Sequence, residues 1–282
     1  MNRTIKKQVT GYRTKDGAGV SLVRVLGNET AKDFDPILML DSFDSTEPEA
    51  YTAGFPMHPH RGIETISYVY QGKMIHRDSL GNEDMIADGE VQWMTAGSGI
   101  LHEEKLPASP RLLGVQLWLN LSAADKMTVP AYHSIKRGEI PEILFDGGIL
   151  RLLAGTYQGV QGHQSKYLPM DYYDIHLEPG RKITIYTVPE RSVILFTLAG
   201  DVSIGETAVC EKTAVKLTEG DSVTIQSNGE AAQILFISSL ALSEPVAWNG
   251  PIVMNTNNEL KQAFTDLEQG TFLKENMSYD DI

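Results

Sequence analysis

Cysteine is almost absent from this sequence: Cys210 is the only one among 282 residues. A single cysteine cannot form an internal disulfide, and it cannot supply the several thiolates of a typical structural zinc site. Long apolar runs are also missing, since no stretch approaches the roughly 20 apolar residues of a membrane-spanning helix. The start, MNRTIKKQVTGYR, is basic but lacks the apolar segment of a signal peptide. We therefore expect a reducing, cytoplasmic setting and no membrane segment.

Basic residues are scarce relative to acidic ones. The chain has 24 Lys and Arg against 37 Asp and Glu, which gives a net charge of -13. Binding to nucleic acid or to an anionic membrane surface depends on clustered Lys and Arg side chains. We expect neither of these partners, and an acidic surface of this kind would instead fit a basic protein partner.

Short apolar runs separated by turn residues occur in both halves of the chain. GVSLVRVLG, PILMLDSF and ETISYVYQG lie in the first half, and KITIYTV, SVILFTLAG and AQILFISS lie in the second. Alternating apolar and polar positions at this spacing indicate sandwiches or barrels of antiparallel strands. The length allows two domains with real cores. We place the N-terminal domain at residues 1–130 and the C-terminal domain at residues 131–282.

One segment near the C-terminus has a helical pattern instead. TNNELKQAFTDLEQG begins with a capping-box spacing of Thr256 and Glu259. Its apolar side chains share one helical face: Leu260, Phe264 and Leu267. The pattern predicts an amphipathic helix near residues 257–269, followed by a frayed acidic tail at residues 278–282.

The stretch FPMHPHRG, residues 55–62, carries two histidines one residue apart. Side chains alternate faces along a strand, so His58 and His60 should point the same way while Pro59 points away. A His-x-His pair alone is as compatible with chance or a structural role as with metal binding. A second pair, His102 and Glu104 in GILHEE, has the same spacing, and together the two pairs predict a metal site.

Three imidazoles and one carboxylate suit a divalent first-row metal ion, and they leave coordination positions open for chemistry. Fe, Mn, Ni, Cu, Zn and Co all accept such ligands. Glu64 is the rival carboxylate, because it lies six residues after His58. Gly62 between them invites a bend that would break the alternation, so we favour Glu104.

Two further polar residues lie near these motifs. His76 falls in the polar stretch MIHRDSLGN, and we expect a hydrogen-bonding role at the surface or in a loop. Arg61 follows His60 directly but faces the other way, which favours a structural ion pair over contact with a substrate.

Longer motifs carry a family resemblance. FPMHPHRGIETISYVYQGKMIHRDSLGN and GEVQWMTAGSGILHEE, together with PILMLDSF, VQLWLNL and GPIVMNTNNEL, resemble the pirin family of the cupin superfamily over nearly the whole chain. The resemblance implies an all-β fold of two cupin-type antiparallel β-barrels, a bicupin, with a short C-terminal helix. It also implies one iron in the N-terminal barrel and a metal-free C-terminal barrel. The implied ligands are His58, His60, His102 and Glu104, whereas the general cupin pattern would use Glu64.

Pirin-like proteins are described as quercetin 2,3-dioxygenases. The resemblance therefore implies a metal-dependent dioxygenase that cleaves quercetin-type flavonols with O2 and releases CO. Fe(II) is the expected cofactor, and Glu104 is the expected catalytic residue, as a metal ligand and proton acceptor. The alternative is an iron-containing, redox-responsive regulatory protein that binds a protein partner. In either case we expect a monomer.

Overall fold

The protein is built almost wholly of β-strands in a computed structural model that describes residues 1–274. The first strands are β1 (Ile5–Thr10), β2 (Tyr12–Asp16), β3 (Val20–Leu26), β4 (Ile37–Ser45), β5 (Phe55–His60), β6 (Ile63–Gln71), β7 (Met74–Asp78), β8 (Glu83–Ile86), β9 (Glu90–Thr95), β10 (Ile100–Lys105), β11 (Leu112–Asn120) and β12 (Ala131–Ile135). The later elements are β13 (Glu142–Phe145), β14 (Gly148–Ala154), β15 (Thr156–Tyr157), β16 (Val160–Gln161), β17 (Met170–Leu177), β18 (Lys182–Tyr186), β19 (Ser192–Ala199), β20 (Val202–Ile204), β21 (Thr207–Val209), β22 (Thr213–Leu217), β23 (Ser222–Ser227), β24 (Ala232–Ser239), β25 (Ala247–Asn249), β26 (Ile252–Met254) and helix α1 (Asn257–Glu268). Short 3-10 turns occupy Asn28–Thr30, Pro48–Ala50 and Arg137–Glu139.

The chain forms two compact units. Among the described residues, the N-terminal unit comprises residues 13–23, 37–137 and 242–274, and the C-terminal unit comprises residues 1–12, 24–36 and 138–241. Each unit thus combines segments from both sides of residue 130. The predicted division at that residue remains a proposal about where the two domains meet along the chain.

The N-terminal unit contains a seven-stranded and a four-stranded sheet. The larger sheet has the order β12-β9-β6-β11-β4-β3-β2, and the smaller has the order β5-β10-β7-β8. An apolar cluster of this unit includes Leu22, Phe43, Val69, Met74 and Leu112. Its strands also bury several polar side chains, which the site described below explains.

The C-terminal unit has the same division into seven and four strands. Its sheets have the orders β1-β22-β19-β24-β17-β14-β13 and β18-β23-β20-β21. Strand β18 shows the alternation that makes one face of a sheet apolar: Ile183 and Ile185 are buried, while the side chains between and beside them are not. Its core is apolar and includes Leu150, Ile175 and Phe236.

The predicted all-β fold of two cupin-like units with a short C-terminal helix is confirmed. Each unit is a two-sheet jelly-roll sandwich in the described residues rather than a closed barrel. Helix α1 begins with the predicted capping box, since Thr256 Oγ1 accepts from the Glu259 backbone N–H at 3.2 Å. The predicted tail at residues 278–282 lies outside the described residues. None of the described helices is long and apolar enough to cross a membrane.

Candidate metal centre

Strands β5 and β10 bring three histidines together. They pair antiparallel, with His102 opposite His58 and Ile100 opposite His60. Alternation along β5 puts both of its histidines on the same side, and their Nε2 atoms are 3.0 Å apart. One ring nitrogen from each of the three histidines lies within 4.8 Å of the others.

Backbone carbonyls fix the protons of two of these imidazoles. His58 Nδ1–H donates to the carbonyl oxygen of Pro56 at 2.8 Å, because a carbonyl can only accept. His60 Nδ1–H donates in the same way to Pro251 at 2.9 Å. When both rings are neutral, their Nε2 lone pairs face each other across 3.0 Å. A cation between them would turn this repulsion into attraction.

The third imidazole presents an unused nitrogen. His102 is fully buried, and its Nε2 has no hydrogen-bond partner among the described residues. A buried polar nitrogen without a partner is costly, and a bound ion is one of the partners that would satisfy it. The Nδ1 atom of the same ring is engaged instead, at 3.4 Å from His76 Nδ1.

Burial favours the neutral form of His60 and His102. The pKa of His60 is lowered to about 3, chiefly by burial and also by the neighbouring His58, while the hydrogen bond to Pro251 acts in the opposite direction. Burial also lowers the pKa of His102 well below its ordinary value, and the neighbouring histidines add to the shift. Neutral imidazole is the form that binds metal ions, so this donor set fits a divalent first-row metal.

Glu104 lies beside the histidines but outside their cluster. Its side chain is 1% exposed, as expected from alternation with His102, whereas Glu103 pairs with Lys105 nearer the surface. No Glu104 oxygen belongs to the group of ligand atoms within 4.8 Å, as far as the described residues go. Its role as the fourth ligand therefore remains a proposal.

Two glutamine amides hold the Glu104 carboxylate. Gln92 Nε2 donates to its Oε1 at 2.5 Å, and Gln116 Nε2 donates to its Oε2 at 2.9 Å. Both amides also reach the hydroxyl of Ser67, at 3.4 and 3.1 Å. These donors fix the carboxylate in place.

Glu64, the rival carboxylate, belongs to the other sheet. Strand β5 ends at His60, Gly62 has a φ of +80°, and β6 begins at Ile63 in the seven-stranded sheet. The predicted bend at this glycine is confirmed. Glu64 Oε1 accepts from the Thr95 hydroxyl at 2.7 Å.

The prediction for Arg61 is confirmed, whereas the one for His76 is not. Arg61 forms the predicted structural ion pair, with its Nη1 2.8 Å from Asp266 Oδ2. The surface or loop role predicted for His76 is wrong, because this ring is fully buried in β7 and bonds Asp78 at 2.8 Å. The sequence signal for the burial of His76 is the apolar Met74, which lies two residues earlier on the same face of the strand and is also buried.

Aromatic rings flank the cluster on the His60 side. The Trp118 ring meets His60 edge-on, with centroids 5.0 Å apart, and Trp248 lies 5.7 Å from Trp118. Trp248 comes from β25, so the segment after Leu242 supplies both this indole and the Pro251 carbonyl.

The two sandwich units and the buried histidines define a two-domain cupin protein. Residues 19–119 match the Pirin domain, and residues 172–273 match the Pirin C-terminal cupin domain. A pirin-like protein of Caulobacter vibrioides is 39% identical over 96% of this chain and 99% of its own length. The chain therefore belongs to the pirin family.

Solved structures agree with this assignment. A quercetin 2,3-dioxygenase from Acinetobacter baumannii superposes with a TM-score of 0.89 and is 32% identical, over 96% of this chain and 99% of the other. A bacterial pirin from Escherichia coli, solved with nickel(II), superposes with a TM-score of 0.65 over 83% of this chain and 98% of the other. At 20% identity the second likeness concerns the fold alone.

Proposed function

We propose that this protein is a metal-dependent dioxygenase that opens the ring of quercetin-type flavonols with O2 and releases carbon monoxide. The observation that carries the proposal is the convergence of three imidazole nitrogens, two of them from fully buried rings whose pKa values are lowered. Its support from relatives is the 32% identity to a quercetin 2,3-dioxygenase that matches nearly the whole chain.

The residues we assign to the metal are His58, His60 and His102, with Glu104 as the fourth ligand. Fe(II) is the ion we propose, and Mn, Ni, Cu, Zn and Co are to be compared with it because the ligand types accept the whole series. When bound, the ion would supply a Lewis acid and a path for electrons between substrate and O2.

The protein's own acid–base group in this proposal is Glu104. A flavonol must lose the proton of its enolic hydroxyl before O2 can attack an electron-rich ring. The Glu104 carboxylate is held in place by the amides of Gln92 and Gln116, and it retains lone pairs that can accept that proton. The same two amides keep the carboxylate from turning away while the proton moves.

The aromatic wall beside His60 favours a flat substrate. The Trp118 ring lies 5.0 Å from His60 and 5.7 Å from Trp248, centroid to centroid, and a planar aromatic molecule interacts favourably with such indoles. An aliphatic substrate would gain less from this surface.

The test is anaerobic reconstitution with Fe(II), followed by O2 uptake and CO release with quercetin as substrate. We expect turnover in the wild type and none above background in His58→Ala, which loses one imidazole. His133→Ala is the matched control, because His133 is exposed on β12 and lies outside the cluster. Undiminished turnover in His58→Ala would contradict the proposal.

The alternative is a regulatory role in which iron oxidation state controls binding to a protein partner. The net charge of -13 favours a basic partner. A pull-down with the Fe(II) and Fe(III) forms of the same preparation distinguishes the two functions. A partner retained by one form only, from a protein without quercetin turnover, would favour regulation.

A further inference from the structure

Two residues of β7 continue the histidine cluster away from its centre. His76 Nε2 lies 2.8 Å from Asp78 Oδ2, and both side chains are fully buried. His76 Nδ1 in turn lies 3.4 Å from His102 Nδ1. Asp78, His76 and His102 therefore form a continuous buried row that ends at the unused His102 Nε2.

When the two imidazoles are neutral, their hydrogen-bond partners fix where each proton in this row sits. Asp78 is an acceptor, since its Oδ1 already receives the backbone N–H groups of Leu80 and Asn82 at 2.9 and 3.1 Å. His76 must then donate from Nε2, which leaves its Nδ1 with a bare lone pair. That lone pair accepts from His102 Nδ1–H, and the bare nitrogen of His102 becomes Nε2.

The other two imidazoles of the cluster are oriented differently. His58 and His60 donate to the backbone carbonyls of Pro56 and Pro251, which no side-chain substitution removes. Among the three, His102 is the one whose tautomer depends on side chains. The tautomer of His102 can therefore be changed by mutation without replacing any of the proposed metal ligands.

Stacking holds His76 in the plane that this row requires. Its ring is nearly parallel to that of Tyr132, with an interplanar angle of 14° and centroids 4.2 Å apart. Tyr132 is itself tethered through its hydroxyl to Asp84 at 3.4 Å. The His76 ring thus has one face packed and both nitrogens engaged.

We propose that Asp78 and His76 are positioning residues that keep His102 in the tautomer with a bare Nε2 aimed into the metal centre. This inference rests on the proposed function, because it assumes that the cluster binds a metal ion. A purely structural role would need the same bonds but would be indifferent to which nitrogen of His102 carries the proton.

Asp78→Asn separates these two roles. Two backbone N–H groups donate to Asp78 Oδ1, while Asn82 Nδ2 lies 3.2 Å from Oδ1 and 3.0 Å from Oδ2. The two backbone donors therefore require the amide oxygen of the new Asn at the position of Oδ1. Its NH2 group then faces His76 Nε2 and forces the opposite tautomer. His76 Nδ1–H would point at His102 Nδ1, and His102 would carry its proton on Nε2, where the metal should bind.

The measurement is Co(II) affinity, obtained anaerobically by competition with a chelator, together with the visible spectrum of the Co(II) protein. We expect Asp78→Asn to bind Co(II) about 10–100-fold more weakly than wild type, the range for residues that support metal ligands, and to shift the spectrum. His76→Phe keeps a flat ring against Tyr132 but loses the acceptor, and it should weaken binding similarly.

The chain offers a matched control in its C-terminal unit. His176 Nε2 lies 2.8 Å from Asp174 Oδ2, the same residue types at the same spacing and distance as His76 and Asp78. Asp174→Asn and His176→Phe should leave both Co(II) affinity and spectrum as in wild type.

Each outcome is decisive. A wild-type protein that binds no Co(II) would overturn the proposed metal centre itself. A wild type that binds, with Asp78→Asn and His76→Phe binding as tightly and with the same spectrum, would overturn this inference alone, even if both variants melt at lower temperature.

Nitrogen-15 NMR of the metal-free wild type tests the tautomers if the variants fail to fold. We expect the His102 signal to show a protonated Nδ1 and a bare Nε2, and the His76 signal to show the reverse. A proton on His102 Nε2 would overturn the inference.

Discussion

The ion pair of Arg61 and Asp266 offers a sharp test of how the site is held. Arg61 follows the ligand His60 directly, and its guanidinium donates to Asp266 at 2.8 Å and to the carbonyls of Ser98 and Phe272 at 2.6 and 2.8 Å. It thereby joins the β5–β6 turn to the loop before β10 and to the C-terminal helix. The perturbation we consider is Asp266→Asn, which keeps the shape and removes the charge.

The expected loss of stability follows from burial. The side chains of Arg61 and Asp266 are 2% and 9% exposed, and removing one partner of a buried pair costs about 3–5 kcal/mol. Arg61 retains two carbonyl acceptors, so we expect the lower end of that range, about 3 kcal/mol. For a protein of this size, that lowers the melting temperature by roughly 6–12 °C.

An exposed pair in the same chain provides the control. Lys7 and Asp33 are 2.5 Å apart, but their side chains are 44% and 46% exposed. Exposed pairs contribute about 0–1 kcal/mol, so Asp33→Asn should be nearly neutral. Urea unfolding of both variants at pH 7 gives the comparison, and a double-mutant cycle with Arg61→Met isolates the coupling.

Acid titration provides a second readout. Burial raises the pKa of Asp266, but hydrogen bonds from Gln262, Arg61 and Lys274 outweigh it and bring this pKa from 3.8 to about 2. A carboxyl with a lowered pKa stabilises the fold above its ordinary pKa, and this contribution is lost as pH falls through about 2. The stability gap between wild type and Asp266→Asn should therefore shrink from pH 4 downward. A gap at pH 7 no larger than that of Asp33→Asn, or a gap that persists in acid, would refute the reasoning.

Three further predictions concern the site and its turn. Gly62→Ala should destabilise the protein more than Gly81→Ala in calorimetry, because both glycines have positive φ but only at Gly62 would a Cβ collide with the carbonyl of Val253; equal losses would contradict this. Gln116→Leu strips two hydrogen bonds from the buried Glu104 carboxylate and should cost about 2–3 kcal/mol in urea unfolding, and an unchanged midpoint would count against that network. Loading with Co(II) at a hundred times its dissociation constant should add about 2.7 kcal/mol of stability, reversed by chelator, and the absence of any shift would exclude specific binding to the folded state.

Local alternation was enough to predict which face of its strand each of the three histidines occupies. His58 and His60 share a face because they are two apart in one strand, and His102 alternates with Glu103 in another. The bend at Gly62 could be predicted too, because glycine is the residue that adopts a positive φ readily. Each of these features depends on a few neighbouring residues and the geometry of an extended strand.

The supports of the cluster could not be predicted in this way. Gln92 and Gln116 meet at Glu104 because β9 and β11 both pair with β6 in one sheet while β10 lies in the other. Such meetings depend on strand order and register, which involve pairings far apart in sequence. The surface role predicted for His76 is wrong for the same reason. The polar residues around it indicate a hairpin tip, but its own side chain faces inward.

The three Nδ1 atoms of the cluster show how local and distant folding combine at this site. His58 is oriented by Pro56, two residues before it, so its tautomer is set as soon as β5 forms. His60 is oriented by Pro251, 191 residues away, and therefore only after the segment beyond Leu242 has packed. His102 is oriented by a side chain of β7. A motif of eight residues can thus specify the ligand types, whereas the alignment of all three lone pairs requires the complete N-terminal unit. It follows that loss of packing of the segment beyond Leu242 should change metal affinity, although the proposed ligands all lie outside that segment.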